Sequence, residues 1–189
     1  MAMTTIRKER ISDIDAREAL LDRAFGDARY LKAAERLRED RLPADGLAFV
    51  AEHDRRVVGT VRLWHVSAGP TRAALLLGPL AVDDAWRGRG IGAALMRRAT
   101  EAARRLDHTA MLLVGDAPYY GRFGFSAEKT GALWMPGPYE RNRLLARELV
   151  PGALDGARGL IAAAGALAPK PDLAALVAHA IHTETARAA

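Results

Sequence analysis

The sequence predicts an α/β fold in which a mixed, mostly antiparallel β-sheet carries helices on both faces. Two amphipathic helical segments come first, and three apolar, strand-like segments separated by turn residues then occupy positions 47–82. A glycine-rich loop follows and opens a long helix, after which another apolar strand appears at 111–114. Antiparallel strands followed by a strand–helix–strand unit are typical of a sheet with helices on both sides.

The two leading helices are expected at Ile11–Leu20 and Tyr30–Arg41, where apolar side chains recur at helical spacing. Ser12 is the expected N-cap of the first helix. Pro43 and Gly46 then break the helical pattern before the first strand begins.

The strands are recognised by apolar segments between turns. Leu47–Glu52 and Val57–Val66 flank a polar turn and should form a hairpin. Ala73–Val82 is almost wholly apolar, which is typical of a central strand buried on both faces. Pro79 has no N–H to donate, so the pairing of this strand should be interrupted there. The remaining strands are expected at Met111–Val114, Ala132–Met135 and Leu144–Val150.

The composition excludes several classes of function. Of the 189 residues, 50% are hydrophobic and 27% are charged, as in folded globular proteins. Cysteine is absent, which excludes disulfides, thiolate metal sites and a cysteine acyl-enzyme. The net charge of +5 is spread along the chain rather than gathered in one patch, so we expect no nucleic-acid partner.

No segment of the sequence indicates a membrane or a secretory route. The first eight residues lack the apolar core of a secretory signal. The longest apolar stretch, Gly159–Ala168, is far shorter than the roughly 20 residues that a membrane span needs. We therefore expect a cytoplasmic protein with no membrane partner.

The loop Arg87-Gly88-Arg89-Gly90-Ile91-Gly92 carries the strongest functional signal. It joins the strand that ends at Val82 to a helix predicted from Gly90 to Leu106. The first turn of a helix leaves backbone N–H groups without partners and carries about half a positive charge. Because glycines let a phosphate approach these groups and the arginines add cations, the loop predicts a pyrophosphate site.

Two other nucleotide-binding motifs compete for this loop. Walker A requires Gly-Lys-Ser/Thr, a tripeptide that the sequence lacks. The Rossmann pattern G-x-G-x-x-A is satisfied by Gly88, Gly90 and Ala93. Five residues separate Val82 from Gly88, however, and the motif follows several antiparallel strands, so a Rossmann-type dinucleotide enzyme is the weaker alternative.

Two motifs together resemble one known family. Leu80-Ala81-Val82, a four-residue spacer, the loop 87–92 and Leu95 are similar to the acetyl-CoA signature of the GNAT N-acetyltransferase superfamily. The segment Tyr119-Tyr120-Gly121-Arg122-Phe123-Gly124-Phe125 resembles the second signature of that family, a tyrosine four residues before a Gly-Phe pair. The resemblance covers roughly residues 4–150 and suggests a bacterial member that acts on small molecules.

The resemblance implies a fold and a cosubstrate. Family members splay two parallel central strands apart, here Ala73–Val82 and Met111–Val114, which makes a cleft for pantetheine. The cosubstrate would be acetyl-CoA, and we expect no metal. Its pantetheine would contact the strand segment Leu80, Ala81 and Val82, through the backbone of Leu80 and Val82. The other expected contacts of the cosubstrate are Arg87, Gly88, Arg89, Gly90, Ile91, Gly92, Ala93 and Tyr120.

The implied reaction needs an acid and a base. Tyr120 would lie near the thioester sulfur and protonate the departing thiolate. An amine must be neutral to attack, so a base is also needed, and family members often use a glutamate on the middle strands. Ala73–Val82 contains no glutamate, so His65 and Asp116 are the first candidates for the base. Glu52 and His53 are secondary candidates. Trp64, Trp134 and Tyr139 would line the acceptor pocket.

The predicted organisation is an acetyltransferase domain at 1–150 and an Ala/Gly-rich appendage at 151–189, with a small helix at Leu173–Ile181. The acceptor should be a small-molecule primary amine rather than a protein. The apolar stretch Gly159–Ala168 suggests a buried surface and hence a homodimer. His179 and His182 have metal-like spacing but no further ligands nearby. A non-catalytic acyl-CoA-binding or sensing module on the same fold is the main alternative function.

Overall fold

The computed structural model describes residues 3–170 of the chain. The strands and α-helices in this range are β1 (Thr5–Lys8), α1 (Ile14–Phe25), β2 (Ala48–His53), β3 (Arg56–Ala68), β4 (Ala73–Val82), α2 (Ile91–Arg105), β5 (Ala110–Val114), α3 (Ala117–Gly121), β6 (Leu133–Trp134), β7 (Leu144–Glu148) and β8 (Gly159–Ala163).

The main sheet has the strand order β1-β2-β3-β4-β5-β7. Its neighbours run antiparallel except for β4 and β5, which are parallel. Strand β8 adds to β3, and β6 pairs with β8. This arrangement confirms the predicted mixed, mostly antiparallel sheet. It also excludes the Rossmann alternative, because that fold is built on a mostly parallel, doubly wound sheet.

The two central strands separate along their length. Strands β4 and β5 are paired only at Leu75 with Met111 and at Leu76 with Leu112. Beyond these pairs the carboxyl ends of both strands diverge, and the widening gap forms the cleft described below. The predicted splay is therefore confirmed.

Pro79 interrupts the pairing of β4 with β3, as the sequence predicted. Val61 pairs with Leu80, whereas Leu63 pairs with Leu77, so the register shifts across Gly78 and Pro79. The missing N–H of proline explains why the ladder cannot continue through this point. The shift lies where β4 begins to diverge from β5.

Helices cover both faces of the sheet. On one face α2 buries Ile91 and Leu95 against the sheet, in a cluster that includes Leu77. On the other face Ala33 and Leu37 pack in a separate cluster with Trp64. At 15 residues α2 is the longest helix of the described range, and none of the helices there has the length and apolar character to cross a membrane.

The predicted helix Tyr30–Arg41 is wrong. The chain instead forms two short 3-10 helices, Asp27–Leu31 and Glu35–Leu37, separated by Lys32 in an extended conformation. Ala33 and Leu37 are buried at a spacing of four, which explains the helical pattern. Ion pairs from Arg29 to Glu18 and Asp22 hold the first of these 3-10 helices against α1. The spacing of apolar residues in the sequence does not indicate such contacts.

The first helix also differs from its prediction. It begins at Ile14, after a 3-10 turn at Ile11–Asp13, and it continues to Phe25 rather than ending at Leu20. Ser12 is not the cap. The carboxylate of Asp13 accepts a hydrogen bond from the Arg10 backbone N–H at 2.7 Å and also binds Arg7, so it fixes the turn that precedes the helix.

Residues from the proposed appendage join the sheet. Gly159–Ala163 forms β8, and Ile161 is fully buried there, so part of the apolar stretch that suggested a subunit interface packs within the chain itself. The boundary at residue 150 and the homodimer stay predictions. Leu173–Ile181, His179 and His182 lie outside the described residues.

Candidate active site

The glycine–arginine loop adopts the conformation that an anion site at a helix N-terminus requires. Gly88 and Gly90 both have φ of +76°, and Gly90 is the left-handed N-cap of α2. A Cβ built on either glycine would meet no other described heavy atom within 4 Å. The loop therefore presents open space, rather than packed side chains, at the start of the helix.

The first turn of α2 directs backbone N–H groups toward this space. The helical hydrogen bonds begin with Ala94 N–H donating to Gly90 O at 3.0 Å. The amides of Ile91, Gly92 and Ala93 precede that bond and belong to the first turn, where helices leave N–H groups without intrahelical partners. The first turn contains no acidic residue. Its partial positive charge is therefore available for an external anion.

The two arginines of the loop are held at the surface. Arg87 lies 2.8 Å from Asp84 in an exposed ion pair, the kind that contributes little to stability and can exchange for a ligand. The Arg89 guanidinium lies 4.5 Å from the centre of the Trp86 ring. Both cations flank the open space beside Gly88 and Gly90.

A second pair of glycines positions the tyrosines of the second motif. A Cβ on Gly92 would lie 2.8 Å from the Tyr119 hydroxyl, and a Cβ on Gly115 would lie 2.2 Å from Cε2 of Tyr120. Side chains at these positions would displace the tyrosines. Gly92 thus connects the loop to the tyrosine motif, although the sequence assigned it to phosphate binding alone.

We expect Gly115→Ala to destabilise the protein and to reduce its activity, because the new methyl group would overlap the Tyr120 ring. Overpacking of this kind costs about 1–3 kcal/mol. Thermal unfolding and turnover should both be measured, with Gly121→Ala as the matched control, since a Cβ there would meet no described atom within 4 Å. Equal stability of the two alanine variants would contradict the contact.

Tyr120 lies in an apolar corner of the site. Its ring packs edge-on against Tyr119, with ring centres 4.9 Å apart, and against Phe125 at 6.3 Å. Burial raises the pKa of the Tyr120 hydroxyl to about 12, with Tyr119 acting in the same direction and Arg143 opposing it. The hydroxyl is therefore protonated at neutral pH and can act as a hydrogen-bond donor or an acid.

A cavity of about 540 Å³ occupies the gap between the diverging ends of β4 and β5. This volume is within the usual range of small-molecule sites. The walls comprise the two strand ends, the tyrosine motif, the irregular segment after α1 and the loop before β7. The lining residues are Phe25, Arg29, Lys32, Ala33, Ala34, Glu35, Arg38, Leu77, Gly78, Pro79, Leu80, Val114, Gly115, Asp116, Tyr119, Tyr120, Pro138, Tyr139, Glu140 and Arg143.

The residues expected to hold the pantetheine arm face different surroundings. Leu80 lines the cavity, whereas Ala81 is buried against Leu20 and Leu21 of α1. Val82 packs at the edge of the core cluster beneath α2. Only their backbone atoms were expected to contact the cosubstrate, and the backbone of this segment borders the cleft.

The aromatic residues expected in the acceptor pocket likewise lie in different surroundings. Tyr139 lines the cavity, and its hydroxyl donates to Leu133 O at 3.3 Å. Trp64 is buried in the core and donates from Nε1 to Gly78 O at 2.6 Å, so it supports the irregular part of β4 without lining the cavity. Trp134 is 53% exposed and lies beneath the Arg141 guanidinium, away from the cavity wall.

The candidate bases also occupy different places. Asp116 lies at the rim of the cavity, where its carboxylate accepts a hydrogen bond from Tyr119 N–H at 3.3 Å. His65 is not part of the cavity wall, and its ring lies 5.3 Å from that of His108. Glu52 binds Arg7, and the His53 ring contacts the Trp86 ring with centres 4.2 Å apart and planes tilted by 48°. Asp116 is therefore the one of these four that faces the cavity.

Charged residues that the sequence interpretation missed form one wall of the cavity. Arg29 is held there by Glu18 at 2.5 Å and Asp22 at 2.9 Å on α1. Arg17 also binds Glu18 at 2.5 Å, and these two hydrogen-bonded guanidiniums lower the pKa of Glu18 although burial acts to raise it. No sequence motif signals this wall, because it depends on ion pairs between α1 and an irregular segment. The other missed charges are Lys32, Glu35, Arg38, Glu140 and Arg143.

Among residues 3–170, no group of three or more His, Cys, Asp or Glu side chains is placed to hold a metal ion.

Comparison with known proteins identifies the same family that the two sequence motifs resemble. Residues 44–127 match the family model of the acetyltransferase (GNAT) domain. The uncharacterized N-acetyltransferase YhbS of Escherichia coli K12 is 29% identical over 157 residues, covering 82% of this chain and 93% of that protein. The uncharacterized N-acetyltransferase YjhQ of the same strain is 30% identical over 120 residues, covering 62% and 66%.

Two crystal structures share the fold. The E. coli YhbS structure in complex with CoA has a TM-score of 0.73 and 28% identity, and the alignment covers 87% of this chain and 91% of that one. A GNAT acetyltransferase from Brucella melitensis in complex with acetyl-CoA has a TM-score of 0.62 and 28% identity, with coverage of 86% and 96%. The shared architecture extends over most of the described range.

Proposed function

The chain belongs to the GNAT superfamily of N-acetyltransferases, and on that premise we propose that it transfers an acetyl group from acetyl-CoA directly to the primary amine of a small molecule. The observation that carries the proposal is the continuity of the site. The open loop at the start of α2 adjoins Tyr119 through Gly92, and Tyr119 in turn lines the cavity.

The cosubstrate is proposed to lie along this continuous path. The pyrophosphate would be bound by the first-turn amides of Ile91, Gly92 and Ala93, with Arg87 and Arg89 beside them. The backbone of Leu80, Ala81 and Val82 would hold the pantetheine arm in the gap between β4 and β5. Two similar proteins crystallised with CoA and with acetyl-CoA support this assignment.

The chemistry of the reaction assigns roles to the cavity residues. The amine attacks the thioester carbonyl, and the C–S bond breaks as the tetrahedral oxyanion collapses. Backbone N–H groups at the diverging end of β4 would stabilise the oxyanion. The Tyr120 hydroxyl would give its proton to the departing thiolate, and the attacking nitrogen would lose its own proton to a base.

Asp116 is our proposed base, acting directly or through a water molecule. It lines the cavity at the rim beside the tyrosine motif, whereas His65 lies next to His108 outside the cavity wall. A small acceptor is favoured over a protein because the cavity between the segment after α1 and the loop at 138–143 has a volume of about 540 Å³, which is typical of small-molecule sites. We also propose that the protein is cytoplasmic and that it forms a homodimer. Sedimentation at micromolar concentration tests the homodimer.

The cosubstrate assignment is tested by calorimetric titration of the folded protein with acetyl-CoA and, in parallel, with NADH. We expect binding of acetyl-CoA with a micromolar dissociation constant and no binding of NADH. A folded protein that binds NADH but not acetyl-CoA would overturn the proposal.

A further inference from the structure

The cavity has two sides that belong to different faces of the sheet. The loop proposed for pyrophosphate opens α2, which packs on the face that buries Leu95 and Leu77. Ala33 and Leu37 pack on the opposite face, and they fix the irregular segment that closes the cavity there. The side chains of this second wall therefore face the acceptor rather than the nucleotide part of the cosubstrate.

Lys32 lines the cavity together with the guanidiniums of Arg38 and Arg143. No carboxylate of the described residues lies within 4.0 Å of its ammonium group, which instead lies 4.5 Å from the centre of the Phe25 ring. Burial lowers the pKa of Lys32, and the guanidiniums of Arg38 and Arg143 lower it further. Four cations and three carboxylates line the cavity, and Lys32 is the one of these four cations that has no carboxylate partner within 4.0 Å among the described residues.

Arg38 adds a buried guanidinium to the same wall. Its side chain is 9% exposed, its Nε donates to Ala34 O at 3.1 Å, and its Nη2 lies 2.8 Å from a Glu35 carboxylate oxygen. The other terminal nitrogen, Nη1, is directed toward Gly78 at the floor of the cleft. Buried guanidiniums require good partners, and the planar fork of arginine matches a carboxylate.

Arg143 connects this positive wall to the reacting end of the cavity. Its charge acts on Lys32 and also on the Tyr120 hydroxyl, and all three side chains line the same cavity. Its ion pair with Glu140, at 3.3 Å, is exposed on both sides and can exchange for a ligand. The carboxylate of Asp116 lies at the Tyr120 end. The cavity thus has one carboxylate beside Tyr120 and these three cationic side chains along its other walls, two of which are paired with lining glutamates.

We propose that the acceptor is an amine that also carries a carboxylate, and that Lys32, Arg38 and Arg143 bind this carboxylate. The inference rests on the proposed function, because it names the substrate class of the same site. An acceptor with this charge pattern places its amine beside Asp116 and Tyr120 when its carboxylate is bound. Polycationic amines are disfavoured by the same wall.

The test uses product-like probes and therefore does not depend on knowing the acceptor. The CoA-saturated protein is titrated with a series of N-acetyl amino acids in which the chain between nitrogen and carboxylate lengthens from glycine to 6-aminohexanoate, and with the corresponding carboxamides. Charge-assisted hydrogen bonds favour the acids, so we expect the best acid to bind about tenfold or more tightly than its amide. A phosphonate analogue that binds more tightly than the carboxylate would contradict the assignment.

Two variants test the wall itself, and a third serves as the matched control. Lys32→Met and Arg143→Met should each remove most of the preference for the acid over the amide. Arg158→Met removes the same charge beside the β3–β4 turn, at the other end of β4, and should retain the preference. Both side chains retain a large solvent-exposed fraction, although part of Lys32 is buried, so both variants should fold, which thermal unfolding checks.

The outcomes separate this inference from the proposed function. Equal affinity for acid and amide, no binding of any probe, or a preference that survives both substitutions would overturn the carboxylate site. The first titration step, the binding of CoA itself, reports on the proposed function. Normal CoA binding without a preference for the acid would contradict the carboxylate site alone.

Discussion

A glutamate at Gly90 is expected to weaken acetyl-CoA binding by about a hundredfold or more, because its carboxylate would lie where the pyrophosphate approaches α2. Two like charges about 4 Å apart repel by about 4 kcal/mol at the effective dielectric constant of a protein surface. The helix should tolerate the acid electrostatically, since anions at a helix N-terminus are stabilising. The loss should therefore appear in calorimetric titration of a protein that remains folded.

The control for this variant is Gly90→Gln. Any side chain at this left-handed position costs about 1–2 kcal/mol of backbone strain, and glutamine has nearly the shape of glutamate without its charge. The difference between the two variants isolates the electrostatic repulsion, and it should shrink as salt is added. Equal binding by the two variants would show that backbone conformation, and not proximity to the phosphates, explains the loss.

Tyr120→Phe is expected to lower kcat by about a hundredfold, in line with the usual contribution of a positioned acid. The KM for acetyl-CoA should change little, because the ring contacts with Tyr119 and Phe125 do not involve the hydroxyl. Stability should also be retained. The effect is measured as thiol release under saturating acetyl-CoA at several pH values.

Tyr139→Phe is the matched control for this prediction, since it removes another hydroxyl from the same cavity wall. That hydroxyl bonds to the Leu133 carbonyl and has no proposed role in proton transfer. We expect only a small change in kcat for this variant. Full turnover by Tyr120→Phe across the pH range would show that Tyr120 packs in the site without acting as the acid.

The sequence predicted the parts of the site that are encoded locally. The loop at 87–92 and the tyrosine motif each lie within a few consecutive residues, and their glycines and tyrosines carry their own geometric requirements. Pro79 predicted the break in β4 for an equally local reason, the lack of an N–H donor. The sheet class followed from the order of apolar segments, which is why the fold could be predicted while most of the acceptor wall could not.

The acceptor wall depends on contacts between distant residues. Arg29 reaches the cavity because it binds Glu18 and Asp22 on α1, and the apolar spacing around it indicated a helix that does not form. Trp64 was assigned to the pocket from its residue type alone, yet it is buried in the core with its Nε1–H bound to Gly78 O. No pattern in the sequence specifies which face such a side chain occupies at an irregular strand.

The sequence also did not predict that Gly92 and Gly115 make room for the two tyrosines. Both occur near motif residues, but only the structure shows that each leaves room for a tyrosine more than three residues away. Strand β8 is a similar case, since its pairing with β3 joins segments that are about a hundred residues apart.

Acetyl transfer itself is the most direct test of the central claim. The protein is incubated with acetyl-CoA and a panel of small amines, including amino acids, and products are identified by mass spectrometry alongside thiol release. We predict an N-acetylated amine formed in equal amount to the released CoA. A protein that binds acetyl-CoA but acetylates no amine in the panel would contradict the claim and indicate a non-catalytic acyl-CoA-binding module.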